Sequence, residues 1–155
     1  MGPFIIWGWS MNTAMVLAVT LALNGTITTP QSGYCLRFVR QVVEFAYNMP
    51  DSAFYGLYWT HRVEENHTNE PWARDLERSL RAAGLAVVAP QAGDLVFNYR
   101  ILWPYGHAGV MLSDILVVDV RPHATGPPLR VTPVWEWGPT TIIRLPLVIR
   151  WDTVK

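Results

Sequence analysis

The first part of the chain repeats apolar residues at the spacing of an α-helix. An apolar run over residues 11–23 ends at Asn24-Gly25, a pair that commonly stops a helix. Another helix is predicted between Asn69-Glu70-Pro71 and Gly84, because proline suits the first turn of a helix and glycine suits its end. The pattern therefore predicts helices at both ends of this region.

Between them lies the most strongly amphipathic segment. Residues 35–47 repeat apolar side chains at steps of three and four. The polar positions, Arg40 and Glu44 among them, form one stripe that is expected to face solvent. Ser32 is a suitable N-cap, which places Cys35 in the first helical turn.

After Gly84 the period changes from helical to extended. The segments become short and rich in β-branched residues, with Gly, Pro or Asp between them. Helices followed by strands are typical of an α+β domain, here a single domain over residues 1–155 with N-terminal helices packed on an antiparallel meander. The predicted strands are 85–89, 95–99, 107–112, 115–120, 129–134 and 140–143, with 147–151 as a further candidate.

The apolar start of the chain has two interpretations. Residues 4–23 carry no charge and are long enough to cross a bilayer. However, no basic residue precedes them, as one would in a standard cleavable signal peptide, and polar residues such as Asn12 and Thr20 interrupt them. A buried core helix within residues 1–25 is therefore favoured over a membrane anchor or uncleaved signal, which stays the alternative.

Composition excludes several classes of function. The 155 residues hold 12 basic and 12 acidic side chains, so the net charge is zero and gives no footprint for nucleic acid. Charged residues are only 15% of the chain and eight residues are Trp, which suits a domain docked in an assembly. The single cysteine excludes an intrachain disulfide and a multi-cysteine zinc site. The segment 61–67, with two His and two Glu, lacks the spacing of a metalloprotease motif, so no metal is expected.

Cys35 is the candidate with chemical consequences. A helix N-terminus presents unpaired N–H groups and a positive dipole end, which favour the thiolate, the nucleophilic form of cysteine. The same N–H groups can stabilise the oxyanion that forms when a carbonyl is attacked. The alternative is an inert, buried cysteine that packs as a small apolar residue.

Three motifs support the reactive alternative. Residues 33–39 (GYCLRFV), 92–97 (AGDLVF) and 106–110 (GHAGV) together resemble the NlpC-type cell-wall peptidases and the CHAP amidohydrolases of the papain-like superfamily. The similarity covers about residues 32–120 in the order of the family. It implies a papain-like fold in which a cysteine at a helix start is followed by a histidine on a strand.

The resemblance also implies roles for particular residues. Cys35 would be the nucleophile, His107 the general base and acid, and Asp119 the residue that orients the imidazole. Tyr34 replaces the Gln that CHAP enzymes commonly carry before the cysteine. Gln31 is a candidate amide for the oxyanion hole, at a spacing that is not the family's.

The proposed triad depends on strand register. A direct pair of His107 with Asp119 requires Met111 opposite Ile115 and a three-residue loop at 112–114. A two-residue turn would place Asp119 on the face away from His107. We expect the three-residue loop, or a bulge with the same effect, with His107 and Asp119 in hydrogen-bonding reach.

The function implied by the resemblance is hydrolysis of an amide bond in peptidoglycan through a thioester, with no cofactor. The partners would be peptidoglycan and other proteins of a phage tail or envelope assembly, and the location would be the bacterial envelope, its exterior or a virion. Neither nucleic acid nor membrane is expected as a partner. Two alternatives remain, a non-catalytic binding module of the same fold and a membrane-associated thiol acyltransferase.

Overall fold

The computed structural model describes residues 11–27, 35–50, 53–54, 72–100, 103–120 and 128–146. Within these ranges the helices are α1 (Met11–Leu23), α2 (Cys35–Ala46) and α3 (Ala73–Ala82). The first has the predicted bounds, and the second ends one residue before its predicted end. The last predicted strand, 147–151, lies outside the described residues.

The described strands form one antiparallel sheet with the spatial order β1-β6-β2-β3-β4-β5. Strands β2 to β5 follow one another as the predicted meander, whereas β6 returns to lie between β1 and β2. The α+β class is confirmed, and the sheet departs from a pure meander at this one crossing. The strands are β1 (Ala86–Val87), β2 (Leu95–Arg100), β3 (Trp103–Met111), β4 (Leu116–Val120), β5 (Leu129–Pro133) and β6 (Thr140–Ile143).

Helix α1 packs into the core and is tied to the sheet at its first turn. The Asn12 amide donates hydrogen bonds to the Ala92 carbonyl (2.7 Å) and to Asp94 Oδ1 (3.2 Å). Gly93 permits this approach, since a Cβ there would lie 2.6 Å from the Asn12 carbonyl oxygen. No helix among the described residues is long and apolar enough to span a bilayer. The packing favours the core-helix interpretation, with these side chains of α1 buried: Ala14, Met15, Ala18, Val19 and Ala22.

The sheet separates two apolar clusters of unequal size. On the helix face, side chains that include Leu95, Val110 and Val118 pack against the three helices. The opposite face, called the tryptophan face, carries a smaller cluster centred on Trp137, the last residue of a 3₁₀ turn (Val134–Trp137) that follows β5. Alternation along each strand sends neighbouring residues to opposite faces. The buried members of the smaller cluster are Val96, Met111, Val117, Trp137 and Ile142.

The register of the β3–β4 hairpin differs from the predicted one. Val110 pairs with Val118 and Met111 with Val117, so the predicted pairing of Met111 with Ile115 is wrong by two residues. The turn is longer than expected, and within it the Ser113 hydroxyl accepts hydrogen bonds from the N–H groups of Ile115 (3.2 Å) and Leu116 (3.0 Å). A shift of two residues preserves the face of every side chain. Asp119 therefore still lies on the same face as His107.

Two polar residues of α2 are not where the sequence placed them. Arg40 and Glu44 were predicted to face solvent, yet they are 6% and 7% exposed. They form an ion pair one helical turn apart, with Arg40 NH1 2.8 Å from Glu44 Oε1. The other carboxylate oxygen of Glu44 accepts the N–H of Phe54 (3.3 Å). A segment that follows α2 in the chain thus packs over this edge of the helix and makes the pair internal.

Candidate active site

Polar side chains form a row across the tryptophan face. Asn98 on β2 pairs with His107 on β3, and Asp119 on β4 pairs with Arg130 on β5. These four side chains lie on the tryptophan face, since residues an even number of positions apart along a strand share a face. Asn98, His107 and Asp119 are each an even number of positions from a member of the smaller cluster on the same strand. Arg130 is an even number of positions from Thr132, whose hydroxyl accepts a hydrogen bond from Trp137. The row runs across four neighbouring strands.

His107 is the centre of this row. Its Nε2 lies 2.5 Å from Asp119 Oδ2, and its ring centroid lies 4.9 Å from that of Trp137. The imidazole also has a hydrogen-bonding contact with the side chain of Cys35. Since Nε2 is bonded to Asp119, the other ring nitrogen, Nδ1, is the atom able to bond to sulfur. His107 is therefore held between the thiol and the carboxylate, as the sequence predicted.

The electrostatics of this arrangement favour a charged imidazole. Burial disfavours the charge and lowers the pKa of His107, but hydrogen bonds with Asp119 and Cys35 and the Coulombic attraction of both raise it, from 6.5 to about 9. At neutral pH the ring is thus an imidazolium whose N–H groups point to an acceptor on each side. An imidazolium of this kind can hold a thiolate and later supply a proton.

Cys35 reaches the site from the helix side of the sheet. It is the first residue of α2, is partly exposed and packs on the larger apolar cluster. Behind it the helix is anchored by fully buried side chains such as Val39 and Val42. The thiol is therefore fixed at the helix N-terminus, where backbone N–H groups are not used within the helix.

Asp119 is fully buried, and a second partner holds it. Arg130 Nε donates to both carboxylate oxygens (2.9 and 3.2 Å), and its NH2 donates to Oδ2 (3.0 Å). The Asp119 side chain is 0% exposed, whereas that of Arg130 is 32% exposed. Charge-assisted fork contacts of this type are among the strongest hydrogen bonds in proteins. The carboxylate that orients His107 is thus oriented in turn by an arginine.

Glycines clear the space that the site needs. The observed register, continued along β4, places Gly109 opposite Asp119. A Cβ on Gly109 would lie 2.8 Å from the Val118 carbonyl oxygen and 3.0 Å from the Trp137 ring. Gly106 has a φ of +75° beside the irregularity in the β2–β3 ladder. The absent side chain at Gly109 lets the imidazole and the carboxylate meet diagonally across the strands.

The other predicted residues have different outcomes. Tyr34 and Gln31, the candidates for the oxyanion hole, lie outside the described residues, as does the segment 61–67. Asp94, within the motif at residues 92–97, has a structural role, since it accepts hydrogen bonds from Arg144 (2.8 and 3.0 Å) and from the Gln91 N–H (2.8 Å). Among the residues described, no three His, Cys, Asp or Glu side chains are grouped as a metal site.

Arg130 is a member of the site that sequence reasoning missed. Residues 129–132 alternate apolar and polar side chains, which marks Arg130 and Thr132 as sharing one strand face. The indole N–H of Trp137 donates to the Thr132 hydroxyl (3.2 Å), and the Asn98 amide donates to the Trp137 carbonyl. The alternation was readable, but the register that sets Arg130 opposite Asp119 was not.

Comparison with known proteins adds no relative: no protein-family model matches the chain, and no curated protein is significantly similar to it.

Proposed function

We propose that the chain is a cysteine hydrolase that cleaves an amide bond of peptidoglycan through a thioester. The observation that carries the proposal is the position of His107, whose imidazole contacts Cys35 on one side and the buried carboxylate of Asp119 on the other. The motifs around Cys35 and His107 resemble those of NlpC-type and CHAP enzymes, and this resemblance supplies the substrate class and a papain-like fold. The sequence contributes the cysteine at a helix start, which suits nucleophilic attack.

The reaction follows from the order of these groups. The Cys35 sulfur, paired with the His107 imidazolium, attacks the amide carbonyl and forms a tetrahedral oxyanion beside the N-terminus of α2. His107 then gives its proton to the leaving nitrogen as the C–N bond breaks, which leaves the acyl group on sulfur. A water molecule then gives one proton to His107 while its oxygen attacks the thioester carbonyl. The C–S bond breaks, which releases the carboxylic acid and restores the Cys35 thiolate paired with the His107 imidazolium. Asp119 keeps the imidazole in the same orientation throughout.

The proposed setting also follows the resemblance. NlpC-type and CHAP enzymes act in bacterial envelopes and at phage tail tips, and we propose the same kind of assembly for this chain. An apolar, weakly charged composition is consistent with a domain that is covered in part by other proteins.

The test is digestion of purified peptidoglycan. Wild type should release fragments whose masses identify the amide that is cut, and Cys35→Ala should reduce their release to background. Cys35→Ser and His107→Gln should do the same while their circular dichroism stays that of the folded protein. Equal release by wild type and Cys35→Ala would refute the proposal.

A thiol measurement separates a hydrolase from a binding module of the same fold. If the imidazolium supports the thiolate, alkylation of Cys35 by iodoacetamide at pH 7 should be faster in wild type than in folded His107→Gln. Equal rates would mean that His107 does not activate the thiol. A binding module would also retain affinity for peptidoglycan without releasing fragments.

A further inference from the structure

Two buried carboxylates in this molecule are each held by an arginine in almost the same way. Arg130 donates three hydrogen bonds to Asp119, and Arg144 donates to both oxygens of Asp94 at 3.0 and 2.8 Å. Both carboxylates are 0% exposed, and the two arginines are 32% and 31% exposed. The pairs therefore resemble each other in geometry, burial and solvent contact.

They differ in the third partner of the carboxylate. Asp94 is also bonded to the Asn12 amide and to the Gln91 N–H, neither of which changes charge. Asp119 is bonded to His107, which gains and loses a proton in the proposed reaction. The surroundings of the Asp94 pair thus keep one charge, whereas the Asp119 pair lies beside an imidazole that is charged in one step of the proposed reaction and neutral in another.

A fully buried carboxylate without a cation is strongly unfavourable. While His107 is protonated, the imidazolium and Arg130 both compensate Asp119. When the proton passes from His107 to the leaving nitrogen, the imidazole becomes neutral and Arg130 is the cation that remains on Asp119. Without Arg130 the proton transfer would leave the buried carboxylate uncompensated, so His107 would hold its proton more tightly.

We infer that Arg130 is a positioning residue of the site. It keeps the Asp119 carboxylate paired and oriented while His107 gains and loses its proton, and it lowers the proton affinity of His107, whose proton must reach the leaving group. The catalytic consequence rests on the proposed function. The electrostatic part concerns His107 itself and can be measured without turnover.

The test is an NMR titration of the His107 imidazole in wild type and in Arg130→Gln. Removal of the cation should raise the pKa of His107 by about one unit, a tenfold gain in proton affinity. Arg130→Lys, which keeps the charge but not the fork, should titrate close to wild type. The matched control is Arg144→Gln, which breaks the equivalent pair at Asp94 and should leave the titration of His107 unchanged.

Three results would overturn the inference. The first is an unchanged or lowered pKa of His107 in Arg130→Gln, and the second is an equal shift in Arg144→Gln, which would mark a general effect of destabilisation. The third is a rise of the His107 pKa in Arg130→Lys as large as the rise expected for Arg130→Gln. Because the lysine variant can be measured by itself, the test stays decisive if the glutamine variant does not fold.

Activity provides the second readout. If the chain is a hydrolase, Arg130→Gln should lower kcat and move the basic limb of the pH–rate profile to higher pH, whereas Arg144→Gln should move neither the limb nor kcat at a temperature where it is folded. If wild type and Cys35→Ala release the same fragments, the proposed function fails, and the titration still decides the role of Arg130 at His107.

Discussion

The two faces of the sheet differ in the types of side chain they carry. The helix face is covered by three helices and carries the larger apolar cluster, in which residues such as Leu76 and Val118 are completely buried. The tryptophan face holds a small apolar cluster beside a row of polar and charged groups that ends at Arg130. Alternation along single strands serves both faces at once, since Val118 points to the helices and Asp119 to the imidazole. Most of the apolar packing thus lies on the helix face and the row of polar groups lies on the tryptophan face, while Cys35 contacts His107 from the start of α2.

The largest effect is expected on the helix face. Leu76→Ala removes a side chain that is 0% exposed and should lower the free energy of unfolding by about 2–5 kcal/mol. Because the cavity forms on the helix face, the NMR titration of His107 should stay as in wild type. The measurement is denaturant unfolding with an imidazole titration on the same sample. A shifted titration in a still-folded variant would show that the faces are coupled.

The tryptophan face should instead make stability depend on pH. The pKa of His107 is raised from 6.5 to about 9, so the folded state binds this proton more tightly than the unfolded state. The resulting stabilisation is complete below pH 6.5 and is lost as the pH rises through about 9. Its size is on the order of 3 kcal/mol.

The check is the difference in unfolding free energy between wild type and His107→Gln, followed from pH 6 to 10. That difference should shrink as the pH rises. A constant difference would mean that the imidazole does not hold a proton in the folded state.

One added methyl group, in Gly109→Ala, should disturb the tryptophan face and have little effect on the helix face. In Gly109→Ala the new Cβ meets the Val118 carbonyl oxygen at 2.8 Å and the Trp137 ring at 3.0 Å, and the backbone atom cannot move aside cheaply. We expect a loss of about 1–3 kcal/mol and a changed fluorescence of Trp137. Unchanged stability together with an unchanged His107 resonance would contradict the crowding that the structure shows.

The smallest effect is expected in the turn between β3 and β4. Ser113→Ala removes the acceptor for the Ile115 and Leu116 N–H groups in a largely exposed loop, so a loss of about 1 kcal/mol is expected. Cross-strand NMR contacts between Val110 and Val118 should persist. Ser113→Thr keeps the hydroxyl and serves as the control. Contacts between Met111 and Ile115 in Ser113→Ala would reveal that the hydroxyl selects the observed register.

Sequence reasoning succeeded where local chemistry decides the outcome. The helix-stop pair after α1 gave its exact end, and strand β6 at residues 140–143 has the predicted bounds. The face shared by His107 and Asp119 was also predictable, because face depends only on whether the register is odd or even. The register itself was not, since it is the pairing of Val110 with Val118 and of Met111 with Val117 across two strands, which no local pattern reports.

The misses arise where distant parts of the chain meet. Strand β3 begins at Trp103 rather than at the predicted 107, because Pro104 and Gly106 obscure the pattern that its pairing with β2 supports. Arg130 reads as an ordinary charged residue until the β4–β5 register sets it opposite Asp119. The spacing of residues along the chain does not reveal this contact, because it arises from the pairing of β4 with β5.

The position of β6 has a consequence for how the molecule is made. Strand β2 can pair with β3 soon after both are synthesised. Its other edge can pair only once β6 has been synthesised, because its partner there is β6, with Leu95 opposite Ile143. Contacts between residues so far apart in sequence slow folding, because the long intervening loop has to close first. On the ribosome, the edge of β2 would stay open until residue 143 has emerged from the exit tunnel. An open edge of this kind is where strands of other chains can add, so the nascent chain is exposed to aggregation during this interval.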